Sequence, residues 1–334
     1  MKLTIINVGY GDALLFEMEN GYTVLLDGGS LRDDEFSGDP CRIRAVDFLR
    51  ARGVTHLDAM FISHIHDDHV CGLTPILREI PADRLYIPYP IEVFERGRAV
   101  EPGPEPPRSV PMYTDALNEF RQILQSAKER GVPVRTLHPG DVLPLTEECT
   151  VSVLAPKPSA IATCVKRLER LWETDDPQER THLLTLLDRD SNNTSLLLRF
   201  DCDQTAILAA ADNVPAHWDE VPISSLQNVN VLKLPHHGQL DAVDEAFMRD
   251  MPLEYVITTA ASDRRYGSAN AENYRRLTAM RPEGQAPKFL FSDERSYEPW
   301  FGPCEPFQAI TLVINSGAIH PEFVRIHSEK ERIP

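Results

Sequence analysis

The stretch Phe61-Ile62-Ser63-His64-Ile65-His66-Asp67-Asp68-His69 decides how this chain is read. Leu57 to Ile62 is an apolar run with the length of a buried strand, so the His-rich segment begins where a strand would end, near Ser63. His64 and His66, two apart, can project from one face of that frayed strand end. Asp68 and His69 then come round on the following turn. Imidazole nitrogens with one carboxylate suit Zn²⁺, Mn²⁺ or Fe²⁺, not Ca²⁺ or Mg²⁺. A loop that is merely rich in histidine has no reason to space its ligands this way.

Upstream, residues 2–8 and 12–18 read as strands joined around Gly9-Tyr10-Gly11-Asp12. Tyr22 to Leu26 is another strand, stopped by Asp27-Gly28-Gly29. Asp27 can orient a metal-bound histidine through its second nitrogen, or simply serve the turn; the sequence leaves both open. Residues 41–52 have helical apolar spacing and Gly53 as a stop.

Downstream come a short helix over 72–80 and a strand at Leu85-Tyr86-Ile87. Residues 94–111, with Pro102, Pro104, Pro106, Pro107 and Pro111, read as a loop and a candidate active-site rim. A helix over 115–130 and strands at 132–137, 141–145 and 150–154 follow. Residues 160–188 read as a charge-rich helical insertion, broken near Asp175-Asp176-Pro177. It suits a solvated scaffold, with a substrate lid as the alternative.

In the second half, 195–200 and 205–210 form a hairpin that ends at Asp212-Asn213, followed by a helical stretch. The strand 229–234 runs into Pro235-His236-His237-Gly238. A strand at 255–259, a helix at 270–280, a strand at 288–291 and a closing hairpin of 309–314 with 322–326 complete the pattern. With no repeat and no boundary, 1–334 reads as a single domain with insertions near 94–111 and 160–188.

The composition is that of a soluble globular chain, 42% hydrophobic and 25% charged. A net charge of −17 argues against a broad phosphate-binding surface, although Arg264, Arg265, Arg275 and Arg276 cluster late in the chain. The first residues lack a signal-peptide pattern, and no run of apolar residues is long enough for a membrane span. The six cysteines contain no CxxC pair and read as mostly buried thiols. The expected location is the cytoplasm.

Three strand ends therefore carry metal-compatible groups: His64/His66/Asp68/His69, then Asp212, then His236/His237. Separate strands delivering ligands to one rim is how α/β sheets build sites. A carboxylate at a strand end, such as Asp212, can bridge two metals.

These residues resemble the metallo-β-lactamase fold superfamily, in the branch that includes the hydrolase domain of ComEC-type DNA-uptake proteins. The resemblance rests on Val8-Gly9-Tyr10-Gly11-Asp12-Ala13, Leu26-Asp27-Gly28-Gly29, the HxHxDH cluster, Gly131-Val132-Pro133-Val134 and Gly140-Asp141-Val142-Leu143. It continues in Asn193-Thr194-Ser195-Leu196 and Val231-Leu232-Lys233-Leu234-Pro235-His236-His237-Gly238. It implies a four-layer αββα sandwich holding two divalent metal ions, Zn²⁺ with Mn²⁺ as the alternative. One ion would sit on His64 and His66, the other on Asp68 and His69, with Asp212 between them and His236 or His237 completing the site. A hydroxide held by the metals would attack a carbonyl or phosphoryl centre, with Asp67 or Asp68 positioning the water.

Two departures stand out. Asn192-Asn193-Thr194 occupies the place of a third-motif histidine, so Asn193 becomes a candidate neighbour of the site. Tyr266-Gly267-Ser268-Ala269 replaces the Tyr-Gly-His-Pro common in that branch, which keeps Tyr266 as a candidate substrate contact and removes the histidine. The resemblance implies a phosphodiesterase or nuclease-type hydrolase acting on nucleic acid or a nucleotide. An ester, lactone or thioester hydrolase and a metal-stabilised, non-catalytic subunit of a multi-protein defence system are the alternatives. A protein partner encoded in the same operon fits either setting.

Overall fold

The computed structural model describes residues 1–326, and two β-sheets face each other at its centre. The first contains β1 (Lys2–Ile6), β2 (Leu14–Glu17), β3 (Thr23–Leu26), β4 (Ala59–Phe61), β5 (Leu85–Ile87), β6 (Val134–Thr136), β14 (Ala309–Asn315) and β15 (Ala318–Val324). Their order is β15-β14-β1-β2-β3-β4-β5-β6. The second contains β7 (Val142–Pro144), β8 (Cys149–Ala155), β9 (Leu197–Cys202), β10 (Thr205–Ala209), β11 (Val229–Lys233), β12 (Tyr255–Thr258) and β13 (Lys288–Phe291). Its order is β13-β12-β11-β10-β9-β8-β7.

Strands β3 to β6 pair in parallel, as do β10 to β13. Parallel neighbours need crossovers, and the crossover helices cover the sheet faces. Helices Ala45–Ala51, Leu73–Glu79 and Val110–Arg130 do this for the first sheet, and Ala271–Ala279 for the second. Leu3, Ile5, Phe16 and Leu26 face the second sheet, whereas Ile6, Leu15 and Leu25 pack outward with Phe48, Leu73 and Phe120. Phe16 of β2 stacks on Phe200 of β9 with ring centroids 4.1 Å apart, which joins the two sheets directly. Tyr274 packs edge-on against Phe289 and Phe291 under the other helical layer. The result is the αββα sandwich.

Four local departures from the sequence reading have physical causes. The long helix starts at Val110 instead of 115, because Pro111 lies in the first turn, where a missing N–H costs nothing. The stretch after Asp212 is made of short 3₁₀ turns, Pro215–His217 and Ile223–Leu226. The last strand begins at Ala318, because Ser316 and Gly317 both take positive φ (48° and 80°) and close a two-residue hairpin. Cys149 and Cys202 lie opposite each other on β8 and β9 and form a disulfide, while Cys41, Cys71 and Cys164 are buried thiols.

The helical insertion forms two helices, Pro158–Glu173 and Pro177–Asp190, with the Asp176 carboxylate capping the second at the Gln178 N–H. Leu168, Leu171 and Leu184 are fully buried in the helical side of the core. The pair is therefore packed onto the body and is not a free-standing solvated hairpin. Among the described residues no helix is long and apolar enough to cross a membrane.

Candidate metal centre

The site forms where the C-terminal ends of β3, β4, β10, β11 and β12 meet. Strand β4 stops at Phe61, and a one-turn helix, Asp67–Val70, starts directly after His66. That reversal brings Asp68 and His69 back beside His64. The Asp27-Gly28-Gly29 turn lies flat on this loop: the Gly28 N–H donates to the His69 carbonyl and the Gly72 N–H to the Gly29 carbonyl, both at 2.8 Å. A Cβ on Gly72 would stand 1.9 Å from the Gly28 carbonyl oxygen, so only glycine permits this approach.

Each histidine has one ring nitrogen engaged by the protein. His69 Nδ1 donates to Asp27 Oδ2 at 2.9 Å. His64 Nδ1 lies 3.0 Å from Ser63 Oγ, which in turn donates to Asp27 Oδ2 at 2.6 Å. His237 Nδ1 donates to the Thr259 carbonyl at 2.7 Å, and Thr259 Oγ1 donates to Asp12 Oδ1 at 2.5 Å. Asp12 also pairs with the buried Lys233 ammonium. His66 Nε2 lies 3.3 Å from the Asp188 carbonyl oxygen. A neutral imidazole carries one proton, so these partners leave His64 Nε2, His66 Nδ1, His69 Nε2 and His237 Nε2 as inward lone pairs.

Those lone pairs face each other. His64 Nε2 stands 3.0 Å from His66 Nδ1, and His69 Nε2 stands 3.3 Å from His237 Nε2. Asp212 sits between the two pairs: Oδ1 is 3.4 Å from His69 Nε2 and 3.3 Å from His237 Nε2, and Oδ2 is 3.9 Å from His64 Nε2. Its Oδ1 is buried without a hydrogen-bond partner. Asp68 Oδ2 lies 3.1 Å from His237 Nε2. Two nitrogens held about 2.1 Å from one tetrahedral ion are about 3.4 Å apart, so acceptors crowded at these distances fit divalent cations and repel without them.

The electrostatics divide the four rings. Burial holds the His64 imidazole well below its usual range, and the neighbouring His69 and His66 push it the same way. Burial opposes a charged Asp212, but the His237 and His69 imidazoles outweigh it and hold that carboxyl well below the carboxylate range. Against their burial, Asp212 and Asp68 hold His69 well above its usual range and Asp212 holds His237 up to about 9, so a metal bound at these two rings displaces protons.

The remaining sequence candidates are placed less uniformly. His236 turns away from the cluster, with Nδ1 3.2 Å from Asp241 and Nε2 2.8 Å from Gln239 Nε2. Successive left-handed residues, His236 at φ 49° and His237 at φ 51°, swing the two rings apart. Asp67 accepts from Ser30 Oγ at 2.7 Å on the cavity wall. Asn193 is not in the site cavity; it lines a separate one with Lys157 and His217, and Asn192 faces the site instead. Tyr266 is 64% exposed at the rim, edge-on to Tyr10 with centroids 5.2 Å apart.

The cavity over the cluster has a volume of about 510 Å³, and Arg32, Arg108 and Arg265 stand among its lining residues. Of the late-chain arginines, Arg264 stacks on Tyr297 at 3.3 Å and Arg275 pairs with Glu272, so the basic cluster read from sequence is not one groove. Sequence reasoning missed Asp12, Tyr10 and Asp188 as neighbours of the site. Asp12 sits in a stretch that already pointed to the fold, whereas nothing in the sequence marks Asp188 among many charged helical residues.

A model of the metallo-beta-lactamase superfamily matches residues 6–164. ComE operon protein 3 of Bacillus subtilis (strain 168) is 24% identical over 279 residues, covering 79% of this chain and 29% of that protein. The chain thus spans less than a third of that relative's length. Among solved structures, a diphosphatase from the PhnP family shares 12% identity over 93% of this chain and 97% of its own, with a TM-score of 0.43. Zn²⁺-bound PqqB from Methylobacterium extorquens shares 9% identity over 87% and 97%, with a TM-score of 0.42. Two facing sheets, the HxHxDH cluster at their edge and the match over residues 6–164 lead to one conclusion: the chain is a metallohydrolase similar to the metallo-β-lactamase superfamily and related in sequence to ComE operon protein 3.

Proposed function

We propose that this hydrolase is a phosphodiesterase acting on a nucleotide or nucleic acid. The observation that carries this reading is the arginines around the cavity that holds the His/Asp cluster: Arg108, without an acidic partner among the described residues, and Arg32 and Arg265, which also pair with Asp34 and with Glu35 and Asp263. Guanidinium forks match the charge and spacing of phosphate oxygens, which a neutral ester lacks. In this reading His64 and His66 would hold one ion, Zn²⁺ or Mn²⁺, and Asp68, His69 and His237 a second, with the Asp212 carboxylate available to both. Bound there, divalent ions lower the pKa of water and stabilise developing negative charge.

The chain's own residues do the rest. Asp27 and Thr259 fix the ring orientations of His69 and His237, and Asp68, kept ionised against its burial by the neighbouring His69 and His237, serves as a ligand carboxylate. Asp67, tied to Ser30, shapes the wall. Tyr266 and Tyr10 give the mouth an aromatic edge on which a base can stack. With a net charge of −17, a short or single-nucleotide substrate suits the chain better than a long polyanion, unless a basic partner bridges it. The operon for which its relative is named makes a co-encoded partner consistent with this reading.

Metal-loaded protein should hydrolyse bis(p-nitrophenyl) phosphate, and His66→Ala should abolish turnover while its circular dichroism spectrum stays native. Turnover of p-nitrophenyl acyl esters with none of the phosphodiester would reject the proposal in favour of a carbonyl substrate.

A further inference from the structure

The helix Pro177–Asp190 ends against His66. While His66 Nδ1 faces His64, the opposite ring nitrogen, Nε2, meets the Asp188 carbonyl oxygen at 3.3 Å and Asp188 Oδ1 at 3.5 Å. The carboxylate is itself held in place, because Ser109 Oγ, at the end of the proline-rich loop, donates to Oδ2 at 2.6 Å. His66 and Asp188 are mostly shielded, at 20% and 17% side-chain exposure.

We propose that the insertion is a positioning element of the metal site, in which Asp188 fixes His66 as the Nε2–H tautomer and so offers Nδ1 to an ion. The inference rests on the reading of His66 as a ligand given above. The other three histidines take their outer partners from the sandwich itself: Ser63, Asp27 and Thr259. His66 takes its partner from a segment more than a hundred residues away in sequence (|i−j| = 122). An acceptor at Nε2 keeps the single proton there and raises the basicity of Nδ1. The C-terminal end of the helix carries partial negative charge and acts in the same sense as the carboxylate. Asp188 meets the ring nitrogen remote from His64, so it orients the ligand and is not itself a ligand to the shared ion. Ser109 extends the chain of contacts, and the two insertions thereby complete the site together.

The test is metal binding, not turnover. Metal-free full chain is titrated with Co²⁺, following the visible d–d bands, and with Zn²⁺ in competition with a chromophoric chelator. Asp188→Ala removes the carboxylate and leaves the backbone carbonyl of residue 188 as the acceptor at Nε2; it should weaken binding at one site about tenfold and alter the Co²⁺ spectrum, whereas Asp188→Asn, which keeps a side-chain acceptor oxygen, should stay within about threefold. Ser109→Ala should fall between the two. The thermal midpoint of the metal-free variants should match wild type. Wild-type affinity and an unchanged spectrum in Asp188→Ala would overturn the inference. Should that variant fail to fold, Ser109→Ala decides, and wild-type affinity there overturns the inference equally. If the wild-type chain bound neither ion, the metal reading of His66 itself would fall, which is a distinct result.

Discussion

His236 and His237 have almost the same left-handed backbone and end in different surroundings. One ring nitrogen of His237 is spent on the Thr259 carbonyl and the other faces Asp212 and Asp68, whereas His236 pairs with Asp241 at the cavity wall. Strand alternation would put neighbouring side chains on opposite faces, but β11 has ended by then and no sequence rule says which ring turns in. The same limit applies to Asn192 and Asn193. His237→Ala should therefore lower metal content by about one equivalent and cost more than about 100-fold in activity, beyond the loss typical of an outer partner. His236→Ala should keep its metal and change KM more than kcat. Elemental analysis of both variants alongside their kinetics checks this, and equal metal loss in the two would sink the assignment.

At the scale of elements, apolar periodicity located most strands and helices, because each buries one face or both against a layer. The helix ends were less legible: Pro111 reads as a breaker in sequence but lies in the first turn of the long helix. The turn that supports the cluster depends on contact between two elements, Gly28 after β3 and Gly72 before the helix Leu73–Glu79. Gly72→Ala has no helix-propensity penalty at its φ, yet it drives a methyl group into the Gly28 carbonyl. It should destabilise the metal-free protein by roughly 1–3 kcal/mol, as overpacking does, read as a lower urea midpoint at constant m value. A midpoint equal to wild type would show that the two turns separate freely.

For the whole molecule, the inward-facing donors come from residues 64–69, 212 and 237, and only folding brings them together. The unfolded chain therefore binds ions far more weakly, and occupancy is linked to stability. Excess Zn²⁺ at about 100 times Kd should add about 2.7 kcal/mol per site, and chelation should lower Tm correspondingly. Calorimetry with and without a chelator measures the shift, which should shrink in His66→Ala. An identical Tm with and without metal would contradict linkage through this site.

By itself, the sequence determined most strands and helices and the local ligand cluster, because both depend on short-range patterns, and the layered architecture followed from it only through the family resemblance. Two-residue and helical periodicities decide which faces are buried, and the spacing of His64, His66, Asp68 and His69 around one strand end is a local property. Only the tertiary structure decided that His237 and not His236 turns inward, that Asn192 and not Asn193 faces the cavity, and that Asp188 closes over His66. Those outcomes depend on left-handed turns, packed helix ends and contacts across more than a hundred residues (|i−j| = 122 for His66 to Asp188), which no local pattern encodes.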